Sequence, residues 1–286
     1  MDTSTTQILR YTAFTTDPSG GNPAGVVLDA AGLDDDAMLA IAADVGYSET
    51  AFVTARDERR RRFAVRYFSP LAEVAFCGHA TVATAVALAE RLGTGPLVFD
   101  TPAGEVPVDT EADAGEAMRA TLTSVPTSTR PADAVELDST LAALGWHRED
   151  LDPALPPRVA FGGVHHLVLA AATRDRLADL DYDFDALAAV MRRAGWATLQ
   201  LVWREGPDLF HARDPFPVGG VVEDPATGAA AAAFGGYLRD LGLTPQPTVV
   251  TVRQGEDMGR PSALTVAVDP DDARVRVSGH AVPLPG

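Results

Sequence analysis

Three side chains in this sequence are placed for proton transfer. Glu49 lies between a helix stop at Gly46 and the apolar run Ala51-Phe52-Val53, where a carboxylate is taken partly out of water. Such a carboxylate is the usual starting point of a general base, although a solvated Glu after a turn accounts for the same spacing. His79 opens a nearly all-apolar run after Gly78, and a helix start there favours a neutral imidazole able to exchange protons. A hydrogen-bonded, half-buried histidine is the plainer reading. Asp224 precedes Pro225 and the small-residue run Ala226 to Ala233, which suits an N-cap with Pro at the first helical position; a place in a site is compatible with that. Cys77 stands beside the same helix end as His79, either as an activated thiol or, with Phe76 before it, as an inert buried one.

Other chemistries find less support. His165-His166 suggests a metal pair, but adjacent strand residues point to opposite faces and cannot readily chelate one ion. One cysteine excludes an internal disulfide, a multi-thiolate metal site and a two-cysteine acid–base mechanism. No metal is expected. The glycine-rich stretches lack the strand, GxGxxG and helix order or a lysine-bearing P-loop, so no nucleotide is expected. A net charge of −17 argues against a nucleic-acid surface, and the basic run Arg59 to Arg62 reads as a solvated hairpin tip. Without a signal-like N-terminus or an apolar run of membrane-spanning length, the expectation is a cytoplasmic protein with no membrane partner.

The elements that must position these residues are two helices with almost no polar face, near 79–92 and 226–239. Helices apolar all round are buried. Their first turns leave amides without intrahelical partners, near Gly78 in one and near Thr227, Gly228 and Ala229 in the other, and the small residues there allow an anion to approach. A small carboxylate-bearing molecule is the inferred ligand. Gly78 and Gly228 lie about half the chain apart, so the sequence reads as two copies of one architecture, with two helix starts able to face one cleft. The segment Val125 to Asp133, rich in Pro, Ser and Thr, is the best boundary, giving halves 1–126 and 127–286 with the last strand free to return to the N-terminal half. Around the two helices the pattern predicts short strands at 8–14, 26–28, 63–68, 97–100, 105–109, 118–124, 159–172, 198–204, 248–253, 262–268 and 274–278. Further helices are expected from Asp34 to Gly46, near 138–145, and over 183–193.

With these motifs assembled, the chain resembles the phenazine-biosynthesis PhzF-like family, which has the diaminopimelate epimerase-like fold. The matching stretches are Gly21-Asn22-Pro23-Ala24, Ser48-Glu49-Thr50-Ala51-Phe52-Val53, Arg66-Tyr67-Phe68-Ser69-Pro70 with Glu73, and Cys77-Gly78-His79-Ala80-Thr81. Further along are Glu223-Asp224-Pro225-Ala226-Thr227-Gly228, then Gln254-Gly255 with Met258-Gly259-Arg260-Pro261-Ser262. The resemblance implies an α+β fold of two pseudo-symmetric halves, each a sheet curled into a barrel around one central helix, with the site between them and usually a homodimer. It implies cofactor-independent isomerase chemistry in which Glu49 moves a proton between carbons of a small unsaturated acid, assisted by His79 and Asp224. Amides around Gly78 and Gly228 would hold the acid group, and the matched motifs add Asn22, Ser48, Thr227, Ala229, Gly259 and Ser262 to the substrate-binding set. Relatives commonly place serine after Thr-Gly; this chain has Ala229, so a side-chain hydroxyl is missing while the amide remains. The stretch Arg213-Asp214-Pro215-Phe216-Pro217 also departs from the usual aromatic pattern. Two other readings compete: a small-acid binding protein that has lost turnover, and an epimerase or racemase of a small amino acid, which Cys77 without a partner thiol disfavours.

Overall fold

The computed structural model describes residues 6–113 and 117–285. Its contacts divide the chain into two units, Met1–Thr123 with Ser278–Gly286, and Ser124–Val277. In the first unit the strands alternate in and out; Arg62–Phe68, for example, buries Phe63, Val65 and Tyr67 on one face, as a half-buried sheet requires. The sheet curls around helix Gly78–Leu92, which is buried from His79 through Ala89. Small side chains allow this enclosure, since alanine and threonine dominate the circumference and let strands approach on every side. The buried Thr81 and Thr84 hydroxyls are satisfied by the carbonyls of Cys77 and Ala80, at 2.6 and 2.7 Å. The terminal segment of strand Val275–Pro283 pairs with Leu9–Ala13, and the same strand pairs with Met118–Thr123, closing the ring.

The second unit repeats the plan. Helix Gly228–Asp240 is buried from Ala230 through Leu238. Neighbours come so close that a Cβ at Gly162 would lie 2.7 Å from the Ala229 carbonyl oxygen and 2.7 Å from the Ala233 nitrogen. Outside this sheet, helices Ala134–Leu144 and Phe184–Ala194 cover a second core of Leu137, Leu141, Trp146, Leu187, Met191 and Trp196. Read from the first pairing in each unit, the ladders run antiparallel, antiparallel, parallel, antiparallel, parallel, antiparallel in both. Each unit also inserts a two-residue strand, Glu73–Val74 or Glu223–Asp224, just before its central helix.

Several boundaries differ from the sequence expectation. Asp224 is not an N-cap and Pro225 is not helical: Glu223 and Asp224 pair with Pro215 and Asp214 in extended conformation, which delays the helix to Gly228, with Thr227 as its N-cap residue. The Pro, Ser and Thr-rich stretch contains a strand, Ser128–Pro131, paired with Arg158–Phe161. The following helix starts at Ala134 because Asp133 and Glu136 form a reciprocal capping box. The single long strand expected over 159–172 is a hairpin, Arg158–Phe161 and His165–Ala170, turned at Gly162-Gly163 where Gly163 takes φ +111°. Asn22 to Gly25, ahead of the strand predicted at 26–28, already belong to strand Asn22–Val27.

Candidate active site

In the first unit, hydrogen bonds draw three chain segments to the start of the central helix. Asn22 Nδ2 lies 3.1 Å from His79 Nδ1. An amide nitrogen only donates, so Nδ1 accepts and the neutral ring carries its proton on Nε2. That Nε2 is 3.3 Å from Glu49 Oε2 and 3.3 Å from Ser48 Oγ. Glu49 Oε2 also accepts from Cys77 Sγ at 3.5 Å, and Cys77 Sγ lies 3.4 Å from His79 Nδ1. A proton acceptor and a proton carrier therefore sit side by side, and the carboxylate is the more reachable of the two, with 14% of its side chain exposed against 6% for His79. Cys77 is buried, and its thiol hydrogen-bonds the carboxylate. Donor atoms of Glu49, Cys77 and His79 all lie within 4.8 Å of one another, a spacing that would also accept a cation.

What holds the helix start is buried behind these residues. Thr81 Oγ1 donates to the Cys77 carbonyl, so the Tyr67 hydroxyl, 2.6 Å from Thr81 Oγ1, donates to it in turn. Burial pushes the Tyr67 phenol well above its ordinary range, which keeps it a donor. Arg66 grips Glu73 with two bonds of 2.7 Å and fixes the two-residue strand.

In the second unit the corresponding group is built on Asp224. Its Oδ2 accepts from Thr227 Oγ1 at 2.6 Å, and the buried Gln254 links both residues, donating from Nε2 to the Asp224 carbonyl at 2.8 Å and to Thr227 Oγ1 at 3.1 Å. Gln254 Oε1 accepts from the Thr227 amide at 3.1 Å. That amide, expected from the sequence to await a ligand, is thus already used. Neither Cys77 nor Thr227 makes a side-chain capping bond, so the first-turn amides that follow, from Gly78 and from Gly228 and Ala229, lack intrahelical partners. Gly255 takes φ +74°, and a Cβ there would meet the Arg260 and Pro225 carbonyl oxygens at 2.4 and 2.7 Å, so glycine is what brings Gln254 to Asp224. Arg213 holds Glu223 from its Nε at 3.0 and 3.2 Å and from Nη2 at 2.5 Å.

A family model described as phenazine biosynthesis-like protein, PhzC-PhzF, matches residues 11–285. The chain belongs to the PhzC-PhzF family. A relative named as an uncharacterized isomerase in Deinococcus radiodurans is 34% identical over 94% of this chain and 89% of its own length. The trans-2,3-dihydro-3-hydroxyanthranilate isomerase of Pseudomonas chlororaphis is 30% identical over 94% of each chain. The crystal structure of a Bacillus anthracis phenazine biosynthesis protein of the PhzF family superposes with a TM-score of 0.85 at 25% identity, covering 98% of each chain. This PhzF-like isomerase therefore has the α+β, diaminopimelate epimerase-like fold that its motifs imply.

Within the PhzF-like chain, the structure brings Asn22, Ser48, Glu49, Cys77 and His79 into one cluster and Asp224, Thr227 and Gln254 into another. Ser262 is buried opposite Gln254 in the ladder, its hydroxyl spent on the Arg260 carbonyl. Gly259 is exposed at the left-handed end of the short helix Glu256–Met258, and no described hydrogen bond joins it to Asp224. His165 is exposed and His166 buried, as strand alternation requires. Sequence reasoning missed Asp214, Gln200 and Thr198, three buried polar residues that meet one another beneath Asp224. Asp214 was visible only as a break in an aromatic pattern. Among the described residues, no helix is long and apolar enough to cross a membrane.

Proposed function

We propose that this isomerase works without a cofactor, moving a proton between two carbons of a small carboxylate-bearing substrate. Glu49 takes the proton as the first C–H bond breaks, and the released electron pair shifts through the unsaturated system. A new C–H bond forms at the second carbon when Glu49 or its protonated neighbour returns a proton. Atoms are conserved, so the product is an isomer. His79, through Nε2–H, steadies the Glu49 carboxylate and supplies a proton; Asp224 assists, and first-turn amides near Gly78 and Gly228 take the substrate carboxylate. Substrate contacts from Asn22, Ser48, Thr227, Ala229, Gly259 and Ser262 belong to the same reading, as does a cytoplasmic homodimer.

The observation that carries the proposal is the 3.3 Å contact between Glu49 Oε2 and the proton-bearing nitrogen of His79, at a carboxylate still partly open to solvent. A mere carboxylate-binding protein has no need of a base and an acid in contact beside its anion site. The test is incubation in heavy water with trans-2,3-dihydro-3-hydroxyanthranilate and, separately, with a panel of small unsaturated and amino acids, followed by detection of deuterium at carbon. Exchange accompanied by isomerisation is expected for at least one compound. Binding without exchange across the panel would leave a binding protein, and exchange with inversion at one carbon would make the chain an epimerase.

A further inference from the structure

The contact between Glu49 and His79 is one side of a triangle whose third corner is sulfur. Glu49 Oε2 lies 3.3 Å from His79 Nε2 and 3.5 Å from Cys77 Sγ, and 3.7 Å separates the sulfur from Nε2. These are the separations that a common centre imposes. A tetrahedral ion held by nitrogen and oxygen at about 2.0 Å and by sulfur at about 2.3 Å spaces nitrogen and oxygen about 3.3 Å apart, and sulfur about 3.5 Å from either. The three atoms therefore outline one face of a zinc coordination sphere, with the fourth position left for water. Their backbone is well anchored. Glu49 opens strand Glu49–Asp57, which is paired on both sides, and Cys77 and His79 flank Gly78 at the start of the buried helix. Cys77 and His79 are buried, and the partly exposed Glu49 carboxylate gives an ion its way in.

The donor set selects the ion. Magnesium and calcium take oxygen ligands, whereas thiolate and imidazole suit zinc. A helix start repels a bare cation but favours a thiolate, and one carboxylate with one thiolate cancels the charge of a dication. Protons balance as well. Ionised Glu49 has none to lose, and the Cys77 thiol releases one to solvent. The His79 ring keeps its proton but carries it on Nδ1 instead of Nε2, where the Asn22 amide, turned about its last bond, presents Oδ1 in place of Nδ2. We propose that Glu49, Cys77 and His79 form an inhibitory zinc site: the ion takes the Oε2 lone pair that would accept a proton from carbon and the Nε2 position that would return one. The inhibition rests on the functional reading above; the place of the ion does not.

The test uses the full chain stripped of metal with EDTA, and its first two measurements need no substrate. Calorimetric titration with zinc chloride should show one ion per chain. Cys77→Ser and Glu49→Gln should each weaken zinc by at least the roughly 10- to 100-fold typical of losing even an outer partner of a metal site. His165→Ala, at an exposed histidine outside the cluster, should leave zinc affinity unchanged. Cobalt(II), added as a coloured substitute for zinc, should give the near-ultraviolet charge-transfer band of a metal thiolate. Cys77 is the only cysteine, so that band locates the ion in the wild type without reliance on any variant. Equal zinc affinity for wild type and Cys77→Ser, or a cobalt complex lacking the band, would overturn the site. In the heavy-water assay with trans-2,3-dihydro-3-hydroxyanthranilate, or with the panel acid that exchanges, excess zinc should slow exchange by roughly 10²-fold or more, and EDTA should restore it. Undiminished exchange with the site filled would overturn the inhibition. A wild type that exchanges nothing even without zinc sinks the functional reading and the inhibition with it, while calorimetry and the cobalt band still decide whether the ion binds at Cys77.

Discussion

Arg66 and Arg213 occupy the same place in the two units, each next to the two-residue strand and each gripping a glutamate on it, Glu73 or Glu223. The residue after each arginine, Tyr67 or Asp214, pairs with the short strand, opposite Val74 or Asp224. The arginine–glutamate grip on the short strand is thus repeated. The chemistry is not. His79 is the second residue of its helix, and the second residue of the other is Ala229; Asp224 faces Asp214 in one ladder, and the residue facing Tyr67 in the other is Val74. Both units share the pair that fixes the short strand, while the residues proposed to handle protons stand on non-equivalent positions: strand and helix in the first unit, short strand in the second.

Glu49→Gln is expected to break this division of labour most severely. Gln keeps the size and the hydrogen bonds of Glu49 but cannot accept a proton from carbon. Exchange at carbon should fall roughly 10²–10⁴-fold, about 3–5 kcal/mol of barrier, with calorimetric binding of the same ligand little altered. If the Gln variant exchanged at the wild-type rate, the base would lie elsewhere, and Asp224 would be the next candidate.

The two arginine–glutamate pairs should separate next. Arg213 and Glu223 keep only 11% and 3% of their side chains exposed, against 28% and 34% for Arg66 and Glu73. Removing one partner of a buried pair leaves an uncompensated charge, so Arg213→Met should lower stability by about 3–5 kcal/mol, measured by urea unfolding. Arg66→Met, at a pair that water screens, should cost about 1 kcal/mol or less. Equal losses would mean that both pairs act alike, contrary to the difference in burial. Between these falls Gly162→Ala, where the new methyl meets helix backbone at 2.7 Å and not a movable side chain; overpacking of this kind costs about 1–3 kcal/mol.

Much of this plan was legible in the sequence, for a physical reason. A helix with no polar face must be enclosed, so the runs after Gly78 and Gly228 announced two buried helices, and the motif after Gly46 announced Glu49 beside a strand. The helix start at Gly228 was not legible: Asp224 and Pro225 have good capping chemistry, and local propensity was overridden by the pairing of Asp224 with Asp214. The strand at Ser128–Pro131 was hidden similarly, since its residues are turn formers recruited by Arg158–Phe161. Contacts of Glu49 with Cys77 and His79, or of Asn22 with His79, join residues far apart in the chain. No spacing rule reports them. Residue type gave the candidates, and topology alone assembled them.

The smallest expected effect is at Tyr67, and it bears most directly on the comparison. Tyr67→Phe removes one hydroxyl from a site that is otherwise fully packed, with the ring edge-on to Phe76 at 6.0 Å between centroids. Thr81 keeps its own donation to the Cys77 carbonyl, so no donor is orphaned and only an acceptor lone pair goes unfilled. A neutral hydrogen bond of this kind contributes about 0.5–1.5 kcal/mol, and stability should fall by that amount. Exchange activity should stay within a few fold of wild type, because Glu49 and His79 take their contacts from Asn22, Ser48 and Cys77. Were Tyr67→Phe to reduce exchange by the roughly 10²–10⁴-fold expected of Glu49→Gln, the Tyr67 hydroxyl would belong to the chemistry, and the asymmetry drawn between scaffold and chemistry would fail.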